Sequence, residues 1–245
     1  MRPVVREAAG ETGTTMRPPC QMHWLGLIDY GRAWDLQRAL VRARKAGQID
    51  DKLLLLEHPH TYTIGRMGTS AHILVDAARL AQLGATVYEV DRGGDVTYHG
   101  PGQLVGYPII DLRRHGVDAH RYLRSLEETL IQTLAHYGIT AGRCPGLTGV
   151  WLGDEKIAAI GVKIGGGVTS HGFALNVNTD MSYFAHIVPC GIVDKGVTSM
   201  ARVLGRQVPV AEVVEVAARC FAAEFNLEVV PASAGAAELA EALTL

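Results

Sequence analysis

Gly149-Val-Trp-Leu152, Lys156-Ile-Ala-Ala-Ile-Gly-Val-Lys-Ile164 and Gly172-Phe-Ala-Leu-Asn-Val177 are three short apolar runs, parted by turns that include Gly165-Gly166-Gly167. Short runs of this composition between glycine-rich turns read as strands. A parallel crossover needs about a dozen residues. The connections here are shorter, so the neighbouring strands cannot all be parallel and the sheet must be mixed.

Upstream of this region, Lys52 to Leu56 is too short for a helix and lies between Asp50-Asp51 and Glu57-His58-Pro59, as expected of a buried strand. Thr86 to Val90 alternates as a second strand and Gln103 to Ile110 as a third. Three helices complete the pattern. One runs from Tyr30 to Ala46, with Trp34, Leu36, Leu40 and Ala43 available for burial and Gly47 ending it. The next runs from an Asp118 N-cap to Tyr137, with Leu123, Leu126, Leu130, Ile131 and Leu134 on one stripe. The last spans Val210 to Phe225. The expected fold is one α/β domain over 22–228, a mixed, largely antiparallel sheet packed by helices. Residues 1–21 read as a loose, disordered tail in which Met16 is an alternative start, and 229–245 as a weakly structured C-terminal tail.

At 245 residues, with 48% hydrophobic and 20% charged content, the chain has enough apolar material for a sizeable core. Its formal net charge of -2 provides no clustered field for nucleic acid, and Arg42, Arg44 and Lys45 read as the solvated face of a helix. No run approaches the 18 to 20 or so apolar residues needed to cross a bilayer, and the N-terminus lacks the apolar centre of a secretory signal. Cys20, Cys144, Cys190 and Cys220 form no C-x-x-C pair, which suits a reduced, cytoplasmic protein without a zinc site.

Chemistry-bearing residues gather at three places. Asp91-Arg-Gly-Gly-Asp-Val-Thr-Tyr-His-Gly-Pro-Gly-Gln103 combines four glycines with Arg, Asp, Thr, Tyr, His and Gln after a strand. Such a loop brings backbone close to a ligand, although the same composition also suits an elaborate turn. It lacks the phosphate-loop and dinucleotide patterns. His99 within it is open to acid/base, ligand or structural roles. The second place is Ile187-Val-Pro-Cys-Gly-Ile192, where Cys190 sits at a turn that would expose its sulfur and free backbone N–H groups for an oxyanion. An isolated cysteine is more often a small buried apolar side chain, a reading that suits Cys220 in the last helix better than Cys190.

The third is Lys156, which opens a strand and by itself reads equally as a surface lysine. An ammonium about 4 Å from a thiolate stabilises it by roughly 4 kcal/mol at an effective dielectric near 20, before desolvation. That is up to about three units on a thiol pKa. His58-x-His60 has no third ligand at a motif spacing and reads as a turn, so no metal is expected. Ser170 and Ser199 lack the G-x-S-x-G elbow.

Arg92 to Gln103, Lys156-Ile-Ala-Ala-Ile-Gly161, His171-Gly-Phe-Ala-Leu-Asn176 and Pro189-Cys-Gly191, together with Glu57-His-Pro59 and Leu104 to Asp111, resemble the lipoyl(octanoyl) transferase family in order and spacing. The resemblance spans Leu25 to about Phe225. It implies the biotin/lipoate protein ligase fold and an acyltransferase that needs no cofactor. The implied donor is octanoyl-acyl carrier protein; the acceptors are lysines on lipoyl domains, in the E2 subunits of 2-oxoacid dehydrogenases and the glycine cleavage H protein. By the same resemblance Cys190 carries an acyl-thioester and Lys156 lowers its pKa. Arg92, Gly93, Gly94, Asp95, Val96, Thr97, Tyr98, His99, Ala159, Ile160, Gly161, Gly172, Phe173 and Ala174 line the substrate pocket. The family often has Ser where this chain has Ala159 and Leu where it has Phe173. Two rival readings are an ATP-dependent lipoate or biotin ligase, which shares the fold, and a non-catalytic scaffold for carrier domains.

Overall fold

Leu36, Leu40 and Ala43 share one stripe of the first helix, α1 (Tyr30–Lys45), and all three are buried. Asp29 caps it by accepting from the Arg32 N–H at 3.0 Å. A computed structural model describes residues 17–188 and 195–232, with 235, 238, 239 and 241. Cys190 and its Pro189 to Ile192 neighbours lie outside the described residues.

Among the described residues the chain forms β1 (Pro19–Leu27), α1, β2 (Asp51–Glu57), β3 (Thr61–Ile64), α2 (Ala77–Gln82), β4 (Thr86–Glu89), β5 (Val96–His99), β6 (Gln103–Ile109), α3 (Leu112–His115) and α4 (Ala119–His136). It continues through β7 (Gly142–Cys144), β8 (Leu147–Leu152), β9 (Glu155–Gly165), β10 (Val168–Asn176), β11 (Gly196–Val197), α5 (Met200–Leu204), α6 (Val210–Glu224) and β12 (Glu228–Pro231). The main sheet has the order β12-β1-β2-β6-β10-β9-β8-β7, with β11 beside β9, and β4-β3-β5 form a separate small sheet. Pairs β1/β2, β1/β12 and β9/β11 are parallel, and the rest of the main sheet is antiparallel. The mixed, largely antiparallel sheet is thus as expected.

Period-two alternation divides the core. Leu53, Leu55, Leu104 and Leu175 face α4 and α6, whereas Leu54, Leu56, Val105 and Ile109 face α1. Asp118 caps α4, accepting from the Arg121 N–H at 2.8 Å, a contact worth about 1 kcal/mol against alanine.

Three expectations are corrected. The expected tail boundaries at 21 and 229 fall inside paired strands: Cys20 is fully buried in β1, and β12 pairs with that strand from Pro19↔Glu228 to Met22↔Pro231. Burial pushes the Cys20 thiol up to about 12, so this cysteine is unreactive at neutral pH. Arg44 is not solvated. Its Nε donates 2.6 Å to Asp51 Oδ1 with both side chains buried, and His115 Nε2 donates 2.6 Å to Asp51 Oδ2. Burial opposes the Asp51 charge, but the bonds from His115 and Arg44 outweigh it and hold the carboxyl low. Finally, the Asp91–Gln103 segment is not all loop, because Val96–His99 forms β5 beside β3.

One irregularity positions the site. Pro108 of β6 has no N–H, and the β6/β10 pairing stops at Phe173↔Gly106. At this level His171 turns to a left-handed φ of 55°, and its N–H donates 2.7 Å to Gln37 Oε1 of α1. The β6/β10 ladder is therefore interrupted beside Tyr107 and His171 and resumes where the Thr169 N–H donates 3.0 Å to Ile110 O.

Candidate active site

A cavity of about 430 Å³ lies against β9 and β10. Arg92, Gly93, Gly94, Thr97 and His99 contribute from the Gly-rich segment, Lys156, Ala159, Ile160 and Gly161 from β9, and Gly172, Phe173 and Ala174 from β10. Asp95, Val96 and Tyr98 do not line it. Alternation along β5 accounts for this: Thr97 and His99 point to the cavity, and Val96 and Tyr98 enter a cluster with Tyr62, Phe184 and Ile187. The Tyr98 hydroxyl lies 2.7 Å from His60 Nδ1, and its ring stacks 4.9 Å from Tyr183.

The Gly-rich segment is held from within. The Arg92 guanidinium is buried and donates to Thr63 O at 2.7 Å, Thr63 Oγ1 at 2.8 Å and Asp95 O at 2.8 Å, with Nη1 reaching Gly93 O at 3.0 Å. The Gly93 N–H donates 2.9 Å to Val162 O and seats the loop on β9. Gly161 permits this approach, because a Cβ there would lie 3.0 Å from Gly93 O.

Asp95 ties this loop to a different element. Its Oδ2 accepts from His72 Nδ1 at 2.6 Å, and the His72 carbonyl accepts from the Val188 N–H at 2.9 Å. Beyond the undescribed residues, Val197 pairs with Lys156 and the Thr198 N–H donates 3.0 Å to Lys156 O. The described residues flanking the Cys190 segment are thus bonded to His72, which holds Asp95 of the Gly-rich segment, on one side and to Lys156 of the cavity wall on the other. Lys156 lies with Nζ 4.7 Å from the centre of the Trp151 ring, a cation–π distance. Its stem passes Gly149, whose φ of 124° suits glycine and where a Cβ would sit 3.5 Å from Lys156 Cε.

The inner wall contains residues that sequence reasoning missed: Tyr30, Tyr107 and His171. His171 had a signal, since it opens one of the quoted motifs; Tyr30 and Tyr107 carry no local pattern and reach the cavity through α1 and β6. His58 Nδ1 donates 2.7 Å to Ile28 O, which leaves Nε2 to accept from the Tyr107 hydroxyl at 2.8 Å. Burial brings His58 down to about 4. His99 is driven well below its ordinary value by burial and by neighbouring His58, and its Nδ1–H donates 2.8 Å to Gln103 Oε1. Burial works against the Asp91 carboxylate, but hydrogen bonds from Lys163 and His171 outweigh it and hold the group at about 2. The wall therefore combines the imidazoles of His99 and His171, both shifted toward the neutral form by burial, with apolar side chains, backbone groups and the cationic side chains of Arg92 and Lys156. Among the described residues, no three His, Cys, Asp or Glu side chains are placed to hold a metal ion, and no helix is long and apolar enough to cross a membrane.

Residues 29–222 match the lipoyl protein ligase A/B catalytic domain. The chain is 54% identical over 214 residues to an octanoyltransferase of Chloroflexus aggregans, covering 86% of this chain and 97% of that one. It is 57% identical over 190 residues to an octanoyltransferase of Rubrobacter xylanophilus, covering 77% and 85%. Among solved structures, the bipartite lipoate protein ligase described with its E2 lipoyl domain from Thermoplasma acidophilum shares the fold, with a TM-score of 0.68, 19% identity and coverage of 93% and 92%. The biotin/lipoate ligase fold and the octanoyltransferase sequence coincide in one chain, which belongs to the lipoyl protein ligase A/B family as an octanoyltransferase, an acyl-transferring enzyme.

Proposed function

We propose that this enzyme takes its octanoyl group from octanoyl-acyl carrier protein and passes it, through a thioester on Cys190, to a lysine of lipoyl domains. The acceptors are the E2 subunits of 2-oxoacid dehydrogenases and the glycine cleavage H protein, and the reaction is the first step of lipoate assembly on these proteins. The supporting observation is that Lys156 lines the cavity and pairs with Val197, on the strand that follows the Cys190 segment. A thiol nucleophile also fits the reducing cytoplasm.

In the first step the Cys190 thiolate attacks the carrier thioester, a tetrahedral oxyanion forms and collapses, and the carrier's thiolate leaves with a proton from the Lys156 ammonium, which becomes a neutral amine. The Lys156 ammonium favours the attacking thiolate. In the second step the acceptor amine loses a proton to Lys156, attacks the acyl-enzyme and forms the amide, regenerating Cys190. The thioester donor already carries the energy of the amide, so no ATP is needed. Arg92 to His99, Ala159 to Gly161 and Gly172 to Ala174 form the pocket segments. Arg92 shapes the loop, and Asp95, Val96 and Tyr98 support it from behind.

Intact-mass analysis after incubation with octanoyl-carrier protein, without ATP, tests the reading. An octanoyl adduct mapping to Cys190, and its discharge onto a lipoyl domain, is the expected result. Full transfer by Cys190→Ser, or transfer that requires ATP and free octanoate, would overturn it in favour of a ligase.

A further inference from the structure

β9 has two neighbours over only part of its length. β8 pairs with it at Glu155, Lys156 and Ala158 and reaches no further. β10 continues beside it to Gly165. In that ladder Gly161 faces Gly172 and Ala159 faces Ala174, and Thr169 of β10 bonds Ile110 on the β6 side. Odd residues of β10 thus point to β6 and even ones to β9. The bonds to β10 therefore come from the odd residues of β9, and Ile160 and Val162 direct their backbone groups to the free edge. The Val162 carbonyl, which accepts from the Gly93 N–H at 2.9 Å, follows this pattern. The Ile160 N–H, the Ile160 carbonyl and the Val162 N–H lie on the side of β9 where, among the described residues, the ladder with β8 ends at Ala158. Both residues line the cavity, opposite Leu123 of α4 and the Gly146-Leu147-Thr148 turn.

We propose that this edge binds the amide arm on which a carrier presents its acyl thioester, by adding the arm to β9 as a short strand-like ladder. The proposal rests on the thioester-donor reading above. An octanoyl tail has no donor or acceptor beyond its carbonyl and leaves such an edge unsatisfied. A pantetheine arm has two secondary amides, each with one N–H and one C=O, which is the chemistry by which extended chains add to sheet edges. The edge lies inside a cavity, between the loop seated at Gly93 and the side chain of Leu123. A thin arm without side chains enters there, and a strand of a folded acceptor does not. The thioester sulfur is three bonds from the arm's nearer amide nitrogen and so stays within the cavity also lined by Lys156, whose stem passes Gly149.

The test measures the rate of Cys190 acylation, by intact mass, with S-octanoyl-pantetheine and with its analogue in which both amide N–H groups are replaced by ester oxygens. The two donors have the same length and the same acyl chain. The amide donor is expected to react about tenfold faster, the effect of one or two lost neutral hydrogen bonds. Ile160→Pro, which removes an N–H from the non-ladder side of the strand, should shrink that preference toward one. Equal rates in the native enzyme, or an unchanged preference in folded Ile160→Pro, would overturn the amide ladder and leave the thioester mechanism standing. Absence of an adduct from both donors would overturn the thioester reading and the ladder with it.

Discussion

Gln103 Nε2 donates 2.9 Å to Asn176 Oδ1, joining the start of β6 to the end of β10 in the buried interior. The chain of contacts continues on both sides. Gln103 Oε1 accepts from His99 at 2.8 Å, and Asn176 Nδ2 donates 3.0 Å to the carbonyl of Thr198, whose own N–H bonds Lys156 O. Two carboxamides thereby link the Gly-rich segment to the strand carrying Lys156.

Asn176→Leu should cost about 2 kcal/mol, because it strands the Gln103 amide donor and the Thr198 carbonyl in a dry interior. Asn176→Asp keeps the acceptor but sets a carboxylate oxygen against the Thr198 carbonyl in the same buried site, so it should cost at least as much. Urea unfolding of both variants checks this, and equal stability of Asn176→Leu and the native chain would contradict it.

Lys156→Ala should lower transfer by about 10² to 10⁴, the range for loss of a positioned proton-transfer group. Lys156→Arg keeps a cation over Trp151 but has no lone pair with which to accept the acceptor's proton, so it should form the acyl-enzyme and discharge it slowly. Single-turnover acylation and deacylation rates separate these effects.

Stability should fall as pH drops from about 6.5 to about 4. The His58 value is lowered from 6.5 in the unfolded chain to about 4 by burial. Between these values the unfolded state binds the proton and the native state does not, so stability is present above pH 6.5 and is lost toward pH 4. The full effect for His58 is about 3 kcal/mol. Buried His99 and His171 are shifted in the same direction. Thermal melts across this range check the slope, and His58→Gln should flatten it.

Gly106→Ala should destabilise by about 1 to 3 kcal/mol through overpacking, because its Cβ would fall 2.2 Å from Phe173 Cζ. Pairing it with Phe173→Leu should recover part of the loss. Thermal melts of the single and double variants, analysed as a cycle, test the coupling.

The helices and most strands were legible because their causes are local. Asp29 and Asp118 cap helices whose apolar stripes have the helical period, and glycine turns punctuate β8 to β10. β1 was not legible: its nine residues include Pro19 and Gly26 and lack clean alternation, and they form a strand because β2 and β12 pair on either side. Motif order along the chain was sufficient to recognise the octanoyltransferases and to bring Lys156, Ala159 and Gly161 into one site with Arg92, Thr97 and His99. Which members of a motif face the cavity was a tertiary matter. Pairing with β3 set the face of β5, turning Thr97 inward and Tyr98 away, and the β6/β10 ladder breaks before Pro108, beside His171 and Tyr107 of the cavity lining. Propensity and spacing are properties of neighbouring residues, whereas the direction of a side chain or a free strand edge depends on partners distant in the chain.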